Sequence, residues 1–200
     1  MRTRPKGAPA ERRSPRKLEF HPVTPERWPD MVELFGERGA CAGCWCMWFR
    51  GTRADYKTNQ GAGNKRRMKR LIDSGVVPGI LAYASGRPVG WCSVGPRESY
   101  EALSRSRILK PIDDEPVWSI VCFFVAKPHR RTGLSVKLLK AAVKYARGRG
   151  VKVVEGYPVE PKSGYPDAWA YPGFVSTFRR AGFTEALRRS KGRPIMRCSR

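Results

Sequence analysis

This chain is short of histidine, and short of acid for the number of its cations. It carries two histidines, and 17 Asp and Glu against 40 Lys and Arg, for a net charge of +23. Zinc takes about four N or S ligands, and the C-x₂-C-x-C run of Cys41, Cys44 and Cys46 has only His21 and His129 to complete a set. No metal is expected; these thiols either pack or respond to redox state. No apolar run reaches the ~18 to 20 residues of a membrane span. The opening MRTRPKGAPAERRSPRK is basic but has no apolar stretch behind it, so no secretory signal is read there. Reduced cysteines and a cytoplasmic location are the expectation. Rich in Pro and Arg with little to bury, residues 1–17 read as a disordered basic tail, with weak nucleic-acid contact as one use for it.

What is present is a globular composition. Two hundred residues, 40% hydrophobic and 10% aromatic, suit one domain over residues 18–200. The excess of cations attracts polyanions, whether a phosphate-bearing ligand, an acidic substrate or nucleic acid.

Periodicity supplies the elements. KLEFHPV reads as a first strand, and Thr24 as the cap of a helix with Pro25 at its first position. Trp28, Met31, Val32 and Phe35 share one helical face, and Gly36 ends it. A long segment, Gly36 to Gly63, follows; its Trp45, Trp48 and Phe49 argue against disorder. A basic helix from about Asn64 to Ser74 turns Met68, Leu71 and Ile72 inward. GILAYA and PVGWCSV form a hairpin around Ser85-Gly86, and RESYEALSRS reads as a short surface helix. After a central strand and a long amphipathic helix come the short strand KVVEGYPV, a helix from Gly173 to Ala181, and two closing strands. The order is β-α-α-β-β-β-α-β-α-β-β.

Residues Val117 to Gly150 are the most informative part of the chain. An apolar run, VWSIVCFFVA, leads through KPHRRTGLS into an amphipathic helix. A strand, a tight turn and a helix N-terminus make an anion site, because the first helical amides lack partners and the dipole there is positive. Arg130 and Arg131 flank it, Gly133 allows close approach, and Ser135 is small.

Arg130, Gly133 and Ser135 in R-x-x-G-x-S, with Pro128 in register, resemble the cofactor-binding motif of the GNAT superfamily of N-acyltransferases. The string departs from the usual V-x-P-x-x-R-G-x-G-x-G at Arg131 and Ser135. GFVSTFRRAGF is similar to the family's closing helix, and the order of elements matches over roughly Leu18 to Met196. The resemblance implies an α/β (α+β) fold, a mixed sheet of about six to seven strands flanked by about four helices. It implies acetyl-CoA as the acyl donor. Backbone groups near Phe124 and Val125 would pair with its pantetheine arm, and amides from Arg130 through Arg131, Thr132, Gly133, Leu134 and Ser135 would cradle its pyrophosphate. The long segment would wall the acceptor pocket with Trp45, Trp48 and Phe49.

The catalytic positions depart from the family. Ser119 stands where a central-strand carboxylate is common, and Phe178 where a tyrosine often protonates the leaving thiolate. Glu155 and Tyr157 are the local replacements, with Tyr171 as a second donor and Ser119 holding a relay water. Burial would raise the Glu155 carboxyl toward a base's range; pairing with one of the many cations is the competing reading. The expected reaction is acetyl transfer to a primary amine by direct attack. A small apolar or acidic amine suits so basic a chain better than a polycation. The alternatives are a protein lysine or N-terminal acetyltransferase, a nucleic-acid-binding protein, or a catalytically silent acyl-CoA binder.

Overall fold

The computed structural model describes residues 17–161, 165–166 and 169–199. The basic tail, Lys17 apart, lies outside them. Seven strands build one sheet: β1 (Leu18–Pro22), β2 (Gly79–Ala84), β3 (Arg87–Pro96), β4 (Val117–Val125), β5 (Val153–Gly156), β6 (Thr184–Leu187) and β7 (Ile195–Ser199). Their spatial order is β1-β2-β3-β4-β5-β7-β6. Only β4 and β5 run parallel. The helices are α1 (Trp28–Phe35), α2 (Arg53–Thr58), α3 (Ala62–Asp73), α4 (Glu101–Ser104), α5 (Leu134–Arg147) and α6 (Val175–Arg180). The mixed sheet and the succession of strands are those the sequence led us to expect, while α2 is a third helix between β1 and β2, where the sequence reading had two.

Two clusters pack on the two faces. On one, Leu134, Leu138, Leu139 and Ala142 of α5 lie with Phe178 of α6 over Ile80, Cys92 and Ile120. Lys137, Lys140 and Lys144 of α5 stay exposed, as the helical period requires. Each fully buried leucine there contributes about 1.5–3 kcal/mol. On the other face, Met31 and Phe35 of α1, Met68 and Ile72 of α3, and the segment between these helices cover Leu81, Trp91 and Val121. Among the described residues no helix is long and apolar enough to cross a membrane.

Local readings differ in places. Thr24 precedes a 3-10 turn, Pro25–Arg27, and its side chain makes no capping hydrogen bond to the backbone; its hydroxyl instead accepts from Arg27 Nη1 at 3.4 Å. The segment after Gly36 holds a helix of its own, α2, opened by a capping box between Thr52 and Asp55.

One irregularity shapes the site. The pairing of β3 with β4 slips between Ser93 and Val94, so that β4 carries an extra residue, Val121. Parallel pairing with β5 ends at Ile120↔Gly156. Beyond it β4 runs on to Val125 while the chain after β5 turns away to bridge Phe174 at Val159. Segment 171–174 sits in this gap: Phe123 N–H donates to Tyr171 O at 2.7 Å and Val159 N–H to Gly173 O at 2.9 Å.

Candidate functional site

The turn after β4 is where unmet backbone donors collect. Lys127–His129 form a single 3-10 turn. Arg131 then takes a left-handed φ of +61° and Gly133 one of +80°, which turns successive amides outward. Gly133 caps α5 without a side-chain hydrogen bond. Among the described residues, the amides of Arg131, Thr132, Gly133, Leu134 and Ser135 find no protein acceptor; the first paired ones are Val136 and Lys137, both to Gly133 O. A side chain at Gly133 would meet nothing within 4 Å, so the space before these amides is open to a ligand. The turn is braced from behind by Thr132 Oγ1–H donating to His129 O at 2.7 Å, and Arg130 Nε reaches back to Val125 O at 3.1 Å. Leu134 contributes its amide here while its side chain enters the core. This arrangement fits a diphosphate.

The turn stands at the end of an open strand edge. Phe123 N–H faces segment 171–174, so by the period of two Val125 N–H points the same way, off the sheet. Phe124, paired across with Trp91, points its backbone at β3; its ring packs on Phe35 at 5.7 Å. Of the two residues expected to pair with an extended ligand arm, Val125 turns its N–H to the edge, while its carbonyl accepts from Arg130 Nε.

The sheet brings Ser119, Glu155 and Tyr157 together, because Ser119 faces Glu155 and Glu155 faces Arg197 across the strands. The Ser119 and Tyr157 hydroxyls lie 2.8 Å apart. Tyr157 O–H donates to Glu155 Oε2 at 2.8 Å. Two arginines complete the knot. Arg97 Nη1 donates to Glu155 Oε2 at 3.2 Å and also to the Tyr157 hydroxyl. Arg197 Nε donates to Glu155 Oε1 at 2.8 Å, and its outer nitrogens take Asp113 at 2.6 and 2.8 Å. Glu155 is 1% exposed, and both its oxygens are committed to cations. Burial, then the Glu155 charge, pushes the Tyr157 phenol up, so it stays neutral. This carboxylate ties β5 to β7 and orients Tyr157 and Arg97, and both its oxygens already accept from cations.

Tyr171 stands apart from that knot and beside the open edge, tied to it by its own carbonyl. Its phenol is pushed up, by burial first and against the opposing Arg193 charge. Trp48 and Phe49 lie 6.5 and 6.4 Å from its ring. Trp45 is placed differently from them: it is 3% exposed and stacks on Phe35 and Trp28 at 5.5 and 5.8 Å. Phe178 is fully buried against Phe123 and Phe183, with no hydroxyl to offer. Cys46 is also interior, accepting from Trp91 Nε1–H and lying 2.9 Å from Cys122 Sγ, while Cys41 is exposed. Among the described residues no three His, Cys, Asp or Glu side chains group closely enough to hold a metal ion.

Three residues near this site escaped the sequence reading: Arg97, Arg193 and Arg197. Among forty cations, none is distinguished by composition. A faint signal exists in the period of two that puts Ile195 and Arg197 on one face of β7.

The family model described as acetyltransferase (GNAT) family matches residues 45–160. No curated protein matches the chain by sequence. Solved structures do match by shape. An acetyltransferase of the GNAT family from Desulfovibrio desulfuricans is 14% identical with a TM-score of 0.53, covering 92% of this chain and 99% of that one. The PaiA N-acetyltransferase of Thermoplasma acidophilum, in complex with coenzyme A, is 13% identical with a TM-score of 0.53, covering 92% and 99%. YncA of Salmonella typhimurium, with its cofactor acetyl-CoA, is 13% identical with a TM-score of 0.52, covering 91% and 93%.

Proposed function

Because the chain belongs to the acetyltransferase (GNAT) family, we propose that it moves the acetyl group of acetyl-CoA to a primary amine of a small molecule. The observation that carries this reading is the row of five outward amides from Arg131 to Ser135, placed at the end of the open β4 edge. Those amides, with the charge of Arg130 and Arg131, would hold the diphosphate. Acetyl-CoA supplies an activated thioester: the amine nitrogen bonds to the acyl carbon, the carbon–sulfur bond breaks, and the sulfur leaves as a thiolate.

The chain's own residues then have limited work. Val125 N–H donates to the acyl oxygen as charge develops on it. Tyr171, held neutral by burial, protonates the leaving thiolate, the role that Phe178 cannot fill. The proton lost by the amine passes to water, since Glu155 is engaged on both oxygens. Ser119, Glu155, Tyr157 and Arg97 keep the gap between β4 and β5 in shape.

Thermal denaturation with CoA and acetyl-CoA, followed by mass detection of acetylated products from a panel of amines, tests this. Ligand at a hundred times its Kd should stabilise the fold by about 2.7 kcal/mol. Gly133→Glu, which sets a carboxylate before the outward amides, should abolish that shift. Gly133→Asn, whose side chain tolerates a left-handed φ, should retain it. A Gly133→Glu protein that binds CoA like wild type would place the diphosphate elsewhere, and acetylation of proteins alone would change the acceptor class.

A further inference from the structure

Arg193 lies in the connection between β6 and β7, and two of its side-chain nitrogens are left without a partner. Its Nε and Nη2 are buried and have no hydrogen-bond partner. The guanidinium sits 6.0 Å from the Phe49 ring centroid, in the neighbourhood of Tyr171 and Tyr165. Burial pulls its proton affinity down, and no carboxylate among the described residues opposes that. The acids nearby are engaged: Glu160 and Glu185 hold Arg188 at 2.7 Å each, while Glu155 and Asp113 hold Arg197.

Buried cations in native proteins are paired, because leaving water uncompensated costs several kcal/mol. The chain obeys this at Arg97 and Arg197. Arg50 and Arg147 also bury an unmet Nε, but their outer nitrogens reach carbonyl oxygens. Among the described residues, Arg193 alone leaves two buried nitrogens unmet. Its planar fork matches a carboxylate with two parallel N–H···O bonds. Its position is the second point: Arg193 lies over Phe49, Phe49 beside Tyr171, and Tyr171 O takes the Phe123 amide at the gap. The unmet fork therefore lies beside the aromatic group of Trp48, Phe49 and Tyr171, which adjoins the open strand edge.

We propose that Arg193 receives a carboxylate of the acceptor, so that the substrate is an amine carrying both a carboxylate and an apolar or aromatic body, an amino acid in chemical class. This rests on the N-acetyltransferase reading, which it narrows. The aromatic walls take the side chain, and the carboxylate on Arg193 turns the amine toward Val125.

Two measurements test it. In the first, acetyl transfer from acetyl-CoA is followed for phenylalanine, leucine and methionine beside their carboxamides. Wild type should favour the acids, and Arg193→Met should cost them roughly ten- to a hundredfold in kcat/KM, mostly through KM, while the amides change little. Arg193→Lys should recover part of the loss. The second uses no turnover: calorimetric binding of N-acetylphenylalanine and its amide, with and without CoA. The acid should bind wild type and fail on Arg193→Met, whose unchanged CoA-induced thermal shift shows an intact fold. Equal treatment of acids and amides by wild type in both measurements overturns the proposal. So does an acid preference that survives in Arg193→Met. Absence of CoA binding to wild type would instead sink the acetyltransferase reading, and carboxylate binding to Arg193 would still be read from the calorimetry without CoA.

Discussion

Glu155 is the residue whose environment most changes its meaning. In VVEGY it is one acid in a strand; in the folded chain it is clamped between Arg97 and Arg197 at 3.2 and 2.8 Å. Removing one partner of a buried ion pair leaves the others desolvated and uncompensated, so Glu155→Gln should destabilise the protein by about 3–5 kcal/mol. Urea unfolding reads this, and a loss below about 1 kcal/mol would mark the cluster as solvated. Asp113 contributes at the rim. Its hydrogen bonds to Arg197 hold its carboxyl below the ordinary 3.8. A depressed native pKa means stability that is present above that ordinary value and lost as pH falls through the native one. Asp113→Asn should therefore flatten the acid limb of a stability-against-pH curve while leaving its neutral region with the smaller change.

At the scale of elements, β5 and α6 meet at a position with no room. A Cβ on Gly156 would stand 2.0 Å from Phe178 Cε1, so the helix lies directly on the strand backbone. Gly156→Ala should cost about 1–3 kcal/mol through overpacking. Pairing it with Phe178→Leu should return part of that, because the clash is with the ring. A Gly156→Ala protein as stable as wild type would mean that α6 moves freely away from β5. The same closeness accounts for a flat aromatic side chain at Phe178: its ring fills the angle between Gly156, Phe123 and Phe183.

For the whole molecule, the net charge of +23 is a long-range field rather than a set of contacts. Such a field draws in anionic ligands of any kind. Raising salt from about 0.1 M to about 1 M shortens the screening length from about 10 Å to about 3 Å. CoA affinity, measured calorimetrically, should fall across that range, mainly through a slower association rate. Affinity independent of salt would confine recognition to the turn's amides and leave the surrounding charge without a part in it.

The strands, the helices other than α2 and the turn between β4 and α5 were legible in the chain itself, because period and local turn chemistry act over a few residues. Alternation marked GILAYA and PVGWCSV, and the helical stripe of Leu134, Leu138 and Leu139 marked α5. R-x-x-G-x-S between strand and helix announced outward amides, since Gly133 and the missing first-turn partners are local facts. What the chain could not announce was which charges meet. Ser119, Glu155 and Arg197 are joined by register across three strands, Arg97 arrives from the end of a fourth, and Arg193 reaches Phe49 from a hairpin far along the sequence. Pairing of that kind is decided by strand order and by which acids are already engaged. Only the folded chain could separate the clamped carboxylate of Glu155 from the unmatched guanidinium of Arg193.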